Sequence, residues 1–253
     1  MNQKLRGPLF VLAALLLLVQ WALPVLMPLS DSLMSFVGTN VNWIIVATLV
    51  GAMILLGIVV IPTLDKRSAL LLLAGVALDQ GIGEAVYRLH LPLYLDTLGS
   101  VLVGALLGPT AGVFCATVSC SLWIFVAPVG IPFAAASIVT AWIAGLVARL
   151  DGFSNWLTMV VSGLVAGLTV SIVSSPLMYV LSNSSKPRQS FDIFTSLVAV
   201  DTYFQVPFSA WALLSDPVDK VIVFAIVFFV APWLAKKFWG VSEVSGAVVR
   251  EPS

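Results

Sequence analysis

Stretches of roughly membrane length that carry almost no charge recur along this chain, and they constrain its fold more than any other feature. A helix needs about 20 apolar residues to cross a bilayer, and shorter ones suffice when neighbours shelter them. Windows of that size place helices at 8–29, 42–64, 68–86, 93–108, 111–127, 131–148, 155–181 and 217–238. Pro24, Pro28, Pro62, Pro92, Pro109, Pro128 and Pro132 fall at or near the ends of these windows, as helix punctuation does. Only 9% of the 253 residues are charged and 60% are hydrophobic, with a mean hydropathy of +1.09. A soluble domain carries about 25% charge, so the chain is expected to be an all-α integral membrane protein of about eight transmembrane helices. The first window follows Lys4 and Arg6 but lacks a convincing cleavage pattern, so it is expected to be retained as a helix.

Basic residues orient such a bundle, because cytoplasmic loops are enriched in Lys and Arg. With eight spans and an internal N-terminus, Lys4, Arg6, Lys66, Arg67, Arg149, Lys236, Lys237 and Arg250 share the cytoplasmic side. Only Arg88, Lys186 and Arg188 are then clearly outside. Both termini are expected in the cytoplasm. Residues 182–216 begin polar and continue with Asp192, Asp201, Gln205 and Pro207, which fits an outer re-entrant or amphipathic segment better than a lipid-facing span.

Several function classes are disfavoured at once. The formal net charge is zero, so no basic surface points to nucleic acid. One histidine, His90, and two cysteines, Cys115 and Cys120, do not supply a clustered metal site. The cysteines lie five apart, on different helix faces, and read as small packing residues. No phosphate-cradling G-x-x-x-x-G-K-[ST] loop, G-x-S-x-G or H-E-x-x-H is present, and no cofactor is implied. An enzyme is therefore not the expectation, although Asp79, Glu84 or Asp96 leave intramembrane carboxylate chemistry as a third alternative.

Small residues recur every four positions: Ala77, Gly81 and Ala85; Gly104 and Gly108; Ser137, Ala141 and Gly145; Gly163, Gly167 and Ser171. Such stripes serve either close packing within a bundle or docking of another membrane subunit.

The charged residues inside spans are the informative ones, since each costs at least about 2.5 kcal/mol near the bilayer centre and normally faces a cavity or a partner. Asp79 and Glu84 lie in the third helix, Asp96 at the start of the fourth, and Asp216, Asp219 and Lys220 at the start of the last. All but Asp79 fall clearly in the outer half, which suggests one polar chamber open outward. Asp216 is read either as an N-cap ahead of Pro217 or as an ion-pair partner of Lys220 at the helical spacing of four. Tyr87, Tyr94, Trp123, Phe133, Asn183, Tyr203, Gln205 and Trp211 share that side. For Trp and Tyr an interfacial belt is the alternative; together with the acids and amides they describe a pocket for a flat polar molecule. The candidate substrate-binding residues are Glu84, Tyr94, Asp96, Thr97, Trp123, Asn183, Tyr203, Gln205, Asp216 and Asp219.

Tyr94-Leu95-Asp96-Thr97, followed by a glycine-bearing helix and the Gly108-Pro109 turn, resembles the substrate-binding (S) components of energy-coupling factor transporters. So does "LLSDPVDK" at 213–220, which opens a last helix ending in Lys236-Lys237. The resemblance covers about residues 66–238. It implies a six-helix core in a bacterial cytoplasmic membrane that captures a vitamin, nucleobase-like compound or similar micronutrient on the outer face. The implied pocket draws on 87–96, 127–132 and 182–216, and the implied partners are a transmembrane coupling subunit and two ATPases. Residues 1–65 add two helices ahead of that core, and 239–253 form a cytoplasmic tail. The family's alanine-x-x-x-alanine coupling motif has only Ala77-Gly81-Ala85 as its counterpart, toward the outer half. A sensory or interaction module in the membrane is the second alternative to transport.

Overall fold

The computed structural model describes residues 3–26, 34–89, 95–126, 128–183 and 210–240. Every regular element among them is helical. They are α1 (Gln3–Leu26), α2 (Met34–Val60), α3 (Lys66–Arg88), α4 (Leu98–Leu107), α5 (Pro109–Val126), α6 (Ala134–Arg149), α7 (Trp156–Asn183) and α8 (Ala210–Trp239). Short 3₁₀ turns follow α2 at Ile61–Thr63 and precede α6 at Pro128–Phe133. Seven of the helices contain apolar windows long enough to cross a membrane, and α4 does not. Large apolar side chains such as Trp43, Leu73, Phe125 and Phe229 are exposed around the bundle. Water would not tolerate that surface, whereas lipid is its natural solvent. The protein is a multi-pass helical membrane protein.

Three of the sequence expectations are corrected here. The fourth window, expected to be helical over 93–108, is not helical at residues 95–97, and α4 covers ten residues, about 15 Å of rise against a hydrocarbon core of about 30 Å. The last helix begins at Ala210, seven residues before the expected start, so Asp216 and Pro217 lie inside it and Asp216 is not its N-cap. Residues 210–216, expected within a re-entrant or amphipathic segment, are its first two turns. Pro24 falls two residues before the end of α1, near a helix end as expected, whereas Pro8, Pro176 and Pro232 lie inside helices.

The helical register shows why α4 is short. Gly108, just past its C-terminus, approaches the Arg149 guanidinium, and the Arg67 guanidinium donates to the Phe238 carbonyl. The start of α3 and the ends of α4, α6 and α8 therefore lie at one end, which carries most of the basic residues. Arg88 closes α3 at the opposite end. The chain between Arg88 and Gly108 must cross the whole thickness, yet residues 95–97 are not helical and α4 begins only at Leu98. α4 is a half-helix whose N-terminus opens within the bundle. Eight of its ten residues are buried, so its free backbone groups face protein rather than lipid, the one setting where a broken helix is tolerated.

Glycines set the closest approaches. A Cβ on Gly99 would stand 1.9 Å from the Gly75 carbonyl oxygen, so α3 and α4 meet backbone to backbone. Gly104 and Gly145 serve the α4–α6 and α5–α6 contacts, while Gly163 and Gly167 press α7 against Val221 and Pro217 of α8. These stripes are internal packing. Ala77, Gly81 and Ala85 are exposed instead, and a Cβ on Gly81 would meet nothing within 4 Å. The first helix is fastened to the rest: Gln20 Nε2 donates to the Ile131 carbonyl at 2.8 Å and Trp21 Nε1 to that of Val173 at 2.8 Å.

Candidate functional site

The opening turn of α4 gathers most of the buried charge. Thr97 is its N-cap, a position whose side-chain oxygen ordinarily accepts from the second or third amide of the helix. Here the Thr97 hydroxyl makes no such bond. It accepts instead from Lys220 Nζ of α8 at 3.2 Å. Asp79 of α3 takes over the cap from outside: its Oδ1 accepts from the Gly99 amide at 2.7 Å and the Ser100 amide at 3.1 Å. Its Oδ2 accepts from Ser119 Oγ of α5 at 2.9 Å and from the Ser100 amide at 3.2 Å. A carboxylate at a helix N-terminus is favoured both by these donors and by the helix dipole. Asp79 is fully buried, and its hydrogen bonds hold three helices together.

One turn outward, Asp219 does comparable work. Its Oδ1 accepts from the Leu95 amide at 2.9 Å, and its Oδ2 pairs with Lys220 Nζ at 2.6 Å. Leu95 has φ +40°, a left-handed conformation that costs a non-glycine residue about 1–3 kcal/mol. The Asp219 hydrogen bond holds the chain in that bend, directly ahead of Asp96 and Thr97. Lys220 and Asp219 are 4% and 0% exposed, so the pair is shielded from water.

Asp216 lies nearly a turn away on α8, where it accepts from Ser174 Oγ of α7 at 3.2 Å. The expected Asp216–Lys220 ion pair is replaced by the adjacent Asp219–Lys220 pair. Helical spacing permits a contact at four residues, but the Thr97 hydroxyl and Asp219 together draw the ammonium toward α4. Asp96, Asp216, Asp219 and Lys220 remain close enough to act on one another electrostatically.

Asp96 and Trp123 of α5 converge on Gly83 of α3. A Cβ there would stand 2.7 Å from Trp123 Cζ2 and 3.2 Å from Asp96 Cβ, so the close approach of both side chains depends on glycine. Glu84 is the next residue, but its Oε1 pairs with Arg88 at 2.7 Å at the bundle's rim. Its other carboxylate oxygen is buried without a partner among the described residues.

Of the candidate residues, Asp96, Thr97, Asp216 and Asp219 gather around the start of α4, with Trp123 beside Asp96 and Glu84 at the edge. Asn183 ends α7, its side chain outside what is described, and Tyr94, Tyr203 and Gln205 lie outside the described residues, as does most of 182–216. Sequence reasoning missed Ser119, Ser174 and Gly83, and left Asp79 out of the site. A buried acid mid-helix and a glycine after a threonine are separate signals in the sequence, and only packing shows that they meet. Among the described residues no group of His, Cys, Asp and Glu could hold a metal ion, and both cysteines are buried and free. An apolar cleft lined by Met53, Gly57, Phe114 and Val118 lies between α2 and α5, toward the basic end. It offers no polar group for orienting a ligand. The chain matches no family model, no curated protein and no solved structure.

Proposed function

We propose that this protein is the capture subunit of a membrane uptake system for a small organic micronutrient. The observation that carries the reading is the break in the crossing between Arg88 and Gly108. A half-helix, a left-handed turn at Leu95 and a buried Asp219–Lys220 pair place polar backbone and charge within a membrane bundle. Interrupted helices in transporters present such groups to substrates near the bilayer midplane, and intramembrane charge marks transport pathways more often than architecture.

In this reading the chamber opens on the face opposite the basic residues. That face is the outside of a bacterial cytoplasmic membrane, with both termini in the cytoplasm. The ligand is vitamin-like or nucleobase-like, held by Asp96, Trp123 and the polar groups of 182–216. The resemblance of Tyr94–Thr97 and 213–220 to energy-coupling factor S components supports a partner of one coupling subunit and two ATPases, with α1 and α2 as an addition. No catalytic step is assigned.

The test is mass spectrometry of small molecules retained by the purified full-length protein and by Asp219→Asn. A molecule enriched on the wild type and diminished on the variant, at equal folded yield, supports capture. Equal, nonspecific lipid and solvent profiles on both proteins, joined by absence of uptake in cells carrying the gene, would defeat it.

A further inference from the structure

The charges around the start of α4 are unevenly satisfied, and the imbalance identifies the kind of ligand that a chamber there would accept. Asp79 is occupied by two amides and a hydroxyl, Asp219 by an amide and the Lys220 ammonium, and Asp216 by a hydroxyl. Asp96 alone takes no hydrogen bond from another described residue, and its Cβ and the six-membered ring of Trp123 both approach Gly83. A second group points the same way independently. Ser215 is 6% exposed and its hydroxyl has no partner among the described residues, although buried hydroxyls are nearly always satisfied. It precedes Asp219 by four residues and so shares the face of α8 that meets the start of α4.

An anion would meet four carboxylates and a lysine already engaged by Asp219 and Thr97. A neutral ligand would leave the partly buried Asp96 carboxylate with only a share in Lys220, which is already hydrogen-bonded to Asp219 and Thr97. A cation satisfies Asp96 and also gains from the indole face, which attracts positive charge through its quadrupole. We propose that this chamber selects an organic cation, an ammonium group on a flat apolar body, with Asp96 and Trp123 holding the charge and Ser215 bonding a polar group of the same molecule. The inference rests on the capture reading and specifies its ligand.

The test uses the full-length protein in nanodiscs of phosphatidylcholine, whose zwitterionic surface does not itself concentrate cations. Three probes of similar size are titrated by calorimetry: benzyltrimethylammonium, benzyl alcohol and benzenesulfonate. The expected result is saturable binding of the first only. Its Kd should rise by about tenfold or more in Asp96→Asn, as loss of a charged contact implies, rise in Trp123→Leu, and stay unchanged in Asp151→Asn at the basic end. The comparison of probes on the wild type needs no variant, so a misfolded variant leaves the test intact. Saturable binding of the alcohol or sulfonate at equal or lower Kd overturns the cation assignment and leaves capture standing. Cation binding indifferent to Asp96→Asn in folded protein overturns it as well. Absence of saturable binding by all three also overturns it, while retained-ligand mass spectrometry still decides capture separately.

Discussion

Asp79 is the residue whose removal should reveal most about how this bundle holds a broken helix. Its carboxylate accepts from the Gly99 and Ser100 amides and from Ser119 Oγ, all buried. Replacement by asparagine keeps one acceptor oxygen for the two amides and lets the Ser119 hydroxyl turn from donor to acceptor. What is lost is the charge assistance of bonds worth about 1.5–3 kcal/mol each, partly offset by no longer burying a charge. A net loss of about 1–2 kcal/mol follows. Leucine is nearly isosteric but leaves two amides and a hydroxyl without an acceptor, at about 1–3 kcal/mol each. Even after the relief of removing the charge, a loss of about 4 kcal/mol is expected. For a chain of this size each kcal/mol moves the unfolding midpoint by roughly 2–4 °C. Thermal unfolding in mild detergent, followed by tryptophan fluorescence, should therefore order the proteins as wild type, Asp79→Asn, Asp79→Leu. Hydrogen exchange at the Gly99 and Ser100 amides should quicken in the same order. An Asp79→Leu protein as stable as the wild type, with those amides still protected, would refute the capping argument. It would mean that the desolvation of the carboxylate outweighs its hydrogen bonds.

Lys220→Met should destabilise the protein by about 3–5 kcal/mol, because it strands Asp219 as a buried, uncompensated charge. Adding Asp219→Asn should restore part of the loss, and a double variant no better than the single one in thermal unfolding would show that the pair is not the unit. Gly99→Ala should cost about 1–3 kcal/mol or abolish folding, since its methyl would collide with the Gly75 carbonyl. Gly81→Ala, open on the same helix as Gly75, should be neutral or slightly stabilising, and equal effects of the two substitutions on the unfolding midpoint would contradict the α3–α4 contact.

The membrane class and the positions of the long helices were legible in the residues alone, because they depend on a local property. A run such as Trp156–Leu177 is apolar enough to leave water wherever its neighbours lie, and a bilayer demands that its backbone bonds close within the run. The unusual charges were legible too, since Asp96, Asp216 and Asp219 stand out against apolar surroundings. Their pairing was not. Lys220 lies at helical spacing from Asp216 and next to Asp219, and the sequence offers both; the Thr97 hydroxyl and the bend at Leu95, supplied by another segment, favour Asp219. The extent of α4 was hidden for the same reason. Residues 93–97 read as the first turn of an apolar helix, yet the N-terminus forms at Leu98, where an acid nineteen residues earlier reaches the amides of Gly99 and Ser100. Hydrophobicity is carried by each segment, whereas a cap or an ion pair between helices exists only once packing has brought its two halves within about 3 Å.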